Sequence, residues 1–217
     1  MMINVMVCDP DSFSREGIKQ ILEAHADLKV VSESMDVAGM FHGLRESAPD
    51  ICIMELSVAG HSGLCVIRDV KRRAPSVPLL VMSHCHERDV ALRTIRAGAA
   101  GYLSKDCNLE QLNYAVRTAA SHRPYVSDTV CEMIVESLVE GRSKRQHDSL
   151  SDTDFEVFRL TAEGIPAAKV AAACKLSVAT VRASKNRILK KLSLHSEAEM
   201  IEYAVRRKLI NRSWQFF

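Results

Sequence analysis

The stretch IPAAKVAAACKLSVATVRASKNRILKKL, Ile165 to Leu192, lies in an acid-free segment that runs from Gly164 to Ser196. A short helical pattern (Ala167 to Cys174), a tight turn (Lys175, Leu176, Ser177) and a second helical pattern (Val178 to Leu192) follow one another, with no glycine or proline after Pro166. That is the outline of a helix-turn-helix. The second helix sets Val181, Ile188 and Leu192 on one apolar stripe. Arg182, Lys185, Arg187, Lys190 and Lys191 fall on the other faces, with no carboxylate in the segment to balance them. Ser177 stands at the N-cap, where its hydroxyl can accept from the first orphan amides; those amides and the helix dipole also favour a phosphate. Thr180, Arg182, Ala183, Lys185 and Asn186 occupy the first turns, where a helix end in the major groove meets base edges. Arg and Asn can read bases bidentately, whereas Lys190 and Lys191 lie further along, within reach of backbone phosphate. A solvated basic face on a helical bundle is the competing reading, and the agreement of turn, cap and charge asymmetry argues against it.

Working outward, Ser151 can cap the preceding helix, with Asp152, Asp154 and Glu156 in its first turn and Phe155, Phe158 and Leu160 facing inward. Downstream, a helix over Ala198 to Lys208 sets Met200, Ile201, Ala204 and Val205 on one side. The tail from Ser213 ends in Trp214, Phe216 and Phe217, read as folded onto the domain.

The chain of 217 residues is long enough for two modest domains. Its formal net charge of +2 hides a polarised molecule, because residues 1–143 carry −4 and residues 144–217 carry +6. A small basic domain behind a larger acidic one points to nucleic acid as the partner of the first and argues against a protein that coats polyanions along its whole length. The seven cysteines are scattered, odd in number and without a C-x-x-C pair, which fits reduced thiols in the cytoplasm. No metal site follows from Cys85 between His84 and His86, since three adjacent residues cannot all face one ion from a regular strand or helix. No apolar run reaches membrane length and no signal-type segment opens the chain, so a cytoplasmic protein with no membrane partner is expected.

The first 120 residues alternate short apolar runs with helical patterns. Strands are expected at Ile3 to Cys8, Leu28 to Val31, Ile51 to Met54, Leu79 to Met82 and Ala99 to Leu103. Helices are expected after each, the first with Phe13, Ile18, Ile21 and Leu22 on its apolar side, then Val37 to Leu44, Leu64 to Arg73, Arg88 to Arg96 and Leu109 to Ala120. Five such units make an α/β fold, a five-stranded doubly wound parallel sheet of flavodoxin-like type, followed by a small all-α helix-turn-helix domain. The divisions are 1–122, a connecting helix and linker over 123–149, and 150–217, with Thr129 to Val139 helical and Gly141 to Ser149 as the linker proper. Function in such a sheet gathers beyond the carboxyl ends of the strands, which carry Asp9, Asp11, Glu55, Ser83 and Lys105.

Four motifs make the resemblance specific: PDICIMELSVAGHSGL (Pro49 to Leu64), RAGAAGYLSK (Arg96 to Lys105), TAEGIPAAKVA (Thr161 to Ala171) and TVRASKNRILKKL (Thr180 to Leu192). Residues 1 to about 122 resemble the receiver domain of bacterial two-component response regulators. Leu150 to Ile210 resemble the LuxR-type DNA-binding domain, the pairing of the NarL/FixJ family. The resemblance implies a transcription regulator rather than an enzyme, with Ser83 and Lys105 as the receiver's hydroxyl and lysine, Tyr102 as its aromatic switch position, and the last helix as a dimer contact. It implies double-stranded DNA and a second copy of the chain as partners, with another response regulator and RNA polymerase as further candidates.

The sequence departs from the family where chemistry would occur. Receivers hold Mg²⁺ with two adjacent acids and accept phosphate on an aspartate; here those positions are Asp9 and Pro10, and Glu55. Pro10 cannot ligate a metal, although Asp11 stands close enough to be a partial substitute. Glu55 carries its carboxylate about 1.5 Å further out than an aspartate, a misplacement that in-line phosphoryl transfer tolerates poorly. Aspartyl phosphorylation is therefore not expected to regulate this protein, and no cofactor is called for. Two readings of the pocket stand: Glu55 paired with Lys105 as a fixed negative charge, or a degenerate pocket that only folds and dimerises. For the whole chain, a self-sufficient regulator reading a roughly palindromic duplex stands against an auxiliary subunit that heterodimerises with a conventional response regulator. An enzyme using Asp9, Glu55 and Lys105 lacks a second acid and a phosphate-cradling glycine loop.

Overall fold

The computed structural model describes residues 2–58, 61–140 and 146–210, with the side chains of 137–140 left aside. Five strands, β1 (Ile3–Cys8), β2 (Leu28–Ser34), β3 (Ile51–Glu55), β4 (Leu79–Ser83) and β5 (Gly101–Ser104), form one sheet in the order β2-β1-β3-β4-β5. Every pairing is parallel. The central strands β3 and β4 read as unbroken apolar runs and are buried along their whole length, as strands covered by helices on both faces must be. Strand β2 continues three residues beyond the expected Val31, to Ser34. Its extension is the polar run Ser32, Glu33, Ser34 on an edge strand, where backbone pairing with β1 after an irregularity at Val5/Met6 holds a segment that carries no apolar signal.

Helices α1 (Ser12–Glu23) and α5 (Leu109–Ala120) cover one face, packing Ile18, Leu22, Leu112 and Val116 on Val5, Val7, Ile53 and Leu80. On the other face lie α2 (Val37–Glu46), α3 (Gly63–Arg73) and α4 (Glu87–Ala97). Side-chain caps fix where several begin: Asp36 accepts from the Gly39 amide, Ser62 from that of Cys65, and Asn108 with Gln111 closes a capping box at α5. Gly98 ends α4 with φ 115°, in the left-handed region that favours glycine. Phe13 departs from the expected apolar side of α1, being 86% exposed; it sits at the first turn, before the helix reaches the sheet.

After α6 (Asp128–Glu140), the chain passes through a 3-10 turn, Gln146–Ser149, and four further helices: α7 (Asp152–Ala162), α8 (Ala167–Cys174), α9 (Val178–Leu192) and α10 (Glu197–Arg206). The bounds of α8 and α9 are those read from the sequence. Ser151 caps α7 and Ser177 caps α9, each hydroxyl accepting from the amide three residues on. Phe155, Phe158 and Leu160 are buried with Val170, Val181, Ile188 and Leu192. This core does not close on itself. It is continuous with the apolar layer under α2, α3 and α4, so the helical domain and the sheet domain share one hydrophobic cluster on that side. The expected one-sided stripe of α10 divides into two faces: Met200 and Ala204 are buried with Tyr203, whereas Ile201 is partly buried and Val205 is 41% exposed. The aromatic tail, Trp214, Phe216 and Phe217, lies outside the described residues.

Candidate nucleic-acid interface and receiver pocket

The strand-end pocket brings three of the expected residues together. Lys105 Nζ lies 2.5 Å from Asp9 Oδ2 and 2.7 Å from Glu55 Oε2, with all three side chains buried. Glu55 Oε1 accepts from the Ser57 amide at 2.9 Å, and Asp9 Oδ1 from the Asp11 amide at 2.9 Å. Burial alone would lower the Lys105 pKa; the Glu55 and Asp9 carboxylates outweigh it and hold the ammonium above its ordinary value. Burial pushes the Asp9 carboxyl up, with Lys105 offsetting part of the rise. One ammonium is thus clamped between two carboxylates, the strong kind of buried pair because each partner also has further donors.

Asp11 does not join them. Its side chain caps α1, accepting from the Phe13 amide at 3.0 Å and the Ser14 hydroxyl at 3.1 Å. The residues present do not fit the Mg²⁺ of the receiver family: Pro10 offers no carboxylate, Asp11 is engaged in a cap, and Lys105 occupies the space between the two remaining acids. Ser83 is buried and its hydroxyl accepts from the Cys85 amide at 3.3 Å. Tyr102 is turned fully inward, 1% exposed, its hydroxyl donating to the Cys85 carbonyl at 2.6 Å.

The second site is the outer face of α9. Ala179, Arg182, Ala183, Asn186 and Lys190 share one exposed side, spaced as one face of a helix. Among the described residues, the side chains of Arg182, Asn186 and Lys190 form no hydrogen bond or ion pair. Thr180 is exposed, its hydroxyl 2.8 Å from that of Ser177. Three basic residues differ from the sequence reading, which saw no balancing acid. Lys185 pairs with Glu197 at 2.9 Å, Arg187 with Asp154 at 2.7 Å, and Lys191 donates to the Ser149 carbonyl at 3.0 Å. The partners come from other elements, so an acid-free segment does not make an acid-free surface. Ser184, between Ala183 and Lys185, does not belong to this face: it is buried and donates to Asp154.

Sequence reasoning missed the residues that dock the two domains. Arg159 of α7, 3% exposed, donates to the Ser57 hydroxyl at 2.6 Å, two residues past Glu55, and to the Leu209 carbonyl at 3.1 Å. Arg93 of α4 reaches Asp152 at 3.0 Å and the His147 carbonyl at 3.0 Å, its guanidinium 4.4 Å from the centre of the Phe155 ring. His147 lies in the stretch read as linker yet is fully buried, with Nε2 2.7 Å from Asp89 and Nδ1 2.9 Å from the Tyr203 hydroxyl. The signal for Arg159 was a lone cation among Phe155, Val157, Phe158 and Leu160; for His147 there was none. On the helical domain these contacts lie on α7, the 3-10 turn, α10 and the segment after it, leaving the outer face of α9 open.

A five-stranded receiver fold joined to a helix-turn-helix defines a class, the response regulators with a LuxR-type tail, which are DNA-binding transcription regulators rather than enzymes. The chain belongs to it: the response regulator receiver domain matches residues 5–117, and the luxR family of bacterial regulatory proteins matches residues 148–204. Response regulator UvrY of Escherichia coli (strain K12) is 28% identical over 211 residues, 97% of each chain. The oxygen regulatory protein NreC of Staphylococcus carnosus (strain TM300) is 28% identical over 216 residues, 96% of this chain and 100% of that one. Among solved structures, the RcsB response regulator of Salmonella typhimurium superposes with a TM-score of 0.78 at 21% identity, over 95% of this chain and 98% of that one, a likeness of fold. No helix among the described residues is long and apolar enough to cross a membrane.

Proposed function

We propose that this protein binds a roughly palindromic duplex site as a two-fold dimer and does so without phosphorylation of its receiver. The observation that carries the reading is the clamp of Lys105 between Asp9 and Glu55, which leaves no acceptor aspartate and no second acid. A fixed carboxylate, carrying less charge and fewer oxygens than a phosphorylated aspartate, pairs permanently with the lysine. Tyr102, at the family's aromatic switch position, is turned inward on the same side of the sheet, its hydroxyl held by the Cys85 carbonyl. Arg182, Asn186 and Lys190 face solvent while the domains are docked, so base reading requires no prior separation. Ala198, Ile201 and Val205 line a shallow groove on α10 with Glu202 and Arg206. That face supports pairing with a second copy through α10, and half-sites about one helical turn apart follow from the two-fold axis.

The test is selection from a random duplex pool with unmodified full-length protein at two salt concentrations. An enriched inverted repeat, weakened by salt, is expected. General salt-sensitive binding with no enriched site would overturn self-sufficient reading and favour the auxiliary subunit, whose sequence preference comes from a conventional partner.

A further inference from the structure

The receiver carries a net negative charge, yet one of its helices concentrates cations next to the DNA-reading domain. Arg68, Lys71, Arg72 and Arg73 stand within the last six residues of α3, with Asp69 as the sole acid among them. A basic helix end is common, because cations there meet the negative end of the dipole. Three of the four are already engaged, Arg68 across to α7 and the other two within the receiver. Arg68 pairs with Asp152 at 2.8 Å. The stem of Lys71 packs where a Cβ on Gly98 would stand, its Cγ 3.2 Å away. Arg73 lies over the Phe41 ring at 4.7 Å.

Arg72 is different. Its guanidinium binds Asp69 Oδ1 at 2.8 Å, and the same carboxylate binds Lys175 Nζ at 2.9 Å. Lys175 sits in the turn of the helix-turn-helix, two residues before the N-cap of α9. One carboxylate thus holds a receiver cation and a reading-domain cation side by side, and both remain well exposed, with 66% and 62% of their side chains accessible. The group keeps one net positive charge and continues the exposed surface that runs through Ser177 to Arg182.

We propose that the receiver is itself part of the nucleic-acid interface, with Arg72, aligned through Asp69 beside Lys175, gripping a backbone phosphate of the duplex next to the half-site read by α9. The inference rests on the DNA-binding reading above and adds a contact from the other domain. Charge complementarity and continuity with the α9 surface select duplex DNA as the occupant. Such a contact positions the protein without specifying sequence, and it exists only while the domains stay docked, which makes docking itself a determinant of affinity.

The experiment compares full-length wild type, Arg72→Gln and Arg73→Gln on the selected site, in a long duplex and in one trimmed to the half-sites, across a salt series. Arg72→Gln is expected to weaken binding to the long duplex roughly threefold and to lower the slope of log affinity against log salt by about 1, with the selected sequence unchanged. The penalty should vanish on the trimmed duplex, and Arg73→Gln, whose guanidinium is directed to Phe41, should match wild type. Equal behaviour of Arg72→Gln and wild type on the long duplex would overturn the proposal. An equal loss from both variants would also overturn it, by showing a diffuse field rather than a contact. If wild type shows no salt-dependent duplex binding, the DNA-binding reading itself fails and this contact with it.

Discussion

At the scale of single residues, side chains that matter here were legible as types and illegible as partners. Arg182 and Asn186 were chosen from the sequence because their side chains read base edges bidentately, and the structure leaves both exposed on one face of α9. Arg182→Ala should cost about 1–3 kcal/mol of binding and relax preference at the positions it reads, whereas Lys190→Ala should weaken all sequences alike. Competition binding against a panel of mutated sites checks both. Glu55 and Lys105 were likewise expected to pair, from their places at the ends of β3 and β5. Ser184 and Arg187 could not be placed correctly, because the acid that engages them, Asp154, lies thirty or more residues away on another helix. Local sequence carries no record of such a partner.

Elements were the most legible level. The periodicity of α8 and α9, with the turn between them and the Ser177 cap of α9, set the bounds of both helices, and the buried strands β3 and β4 announced themselves as apolar runs. What failed were polar continuations, such as the end of β2, and the division of α10 between two faces, since Val205 and Met200 are equally apolar in sequence while only one meets the core. Asp154 is the polar pin of the reading domain, bonded to Ser184 and Arg187. Burial would raise its pKa, but those bonds outweigh it and hold the carboxyl below its ordinary value. A depressed pKa contributes stability that is present above the unfolded value near 3.8 and lost as pH falls through the lower folded one. Asp154→Asn should therefore cost about 2 kcal/mol at neutral pH and lose less than wild type between neutral pH and pH 3. Denaturant melts at several pH values give the comparison.

For the whole molecule, the two-domain plan and the charge asymmetry were readable, but the docking was not. Arg159, Arg93 and His147 are polar residues whose burial depends on a second domain arriving, and periodicity within one helix cannot report that. The shared hydrophobic cluster and these buried bonds couple the domains energetically. Full-length protein is expected to unfold in one cooperative transition by near-ultraviolet and far-ultraviolet signals alike, and Arg159→Ala to destabilise it by about 3–5 kcal/mol through loss of buried partners. Two separate transitions in wild type would contradict the docked arrangement. Docking through α7 leaves α9 facing outward, so the duplex binding proposed above would need no separation of the domains.

The central claim is that duplex binding is independent of receiver phosphorylation, and the most direct measurement is affinity for the selected site with and without acetyl phosphate and Mg²⁺. The comparison is made for wild type and for the double variant Pro10→Asp with Glu55→Asp, which restores the acid pair and the acceptor. The account expects wild type to bind equally in both conditions and the variant to respond to the phosphodonor. A tenfold or greater tightening of wild type by the phosphodonor would contradict it.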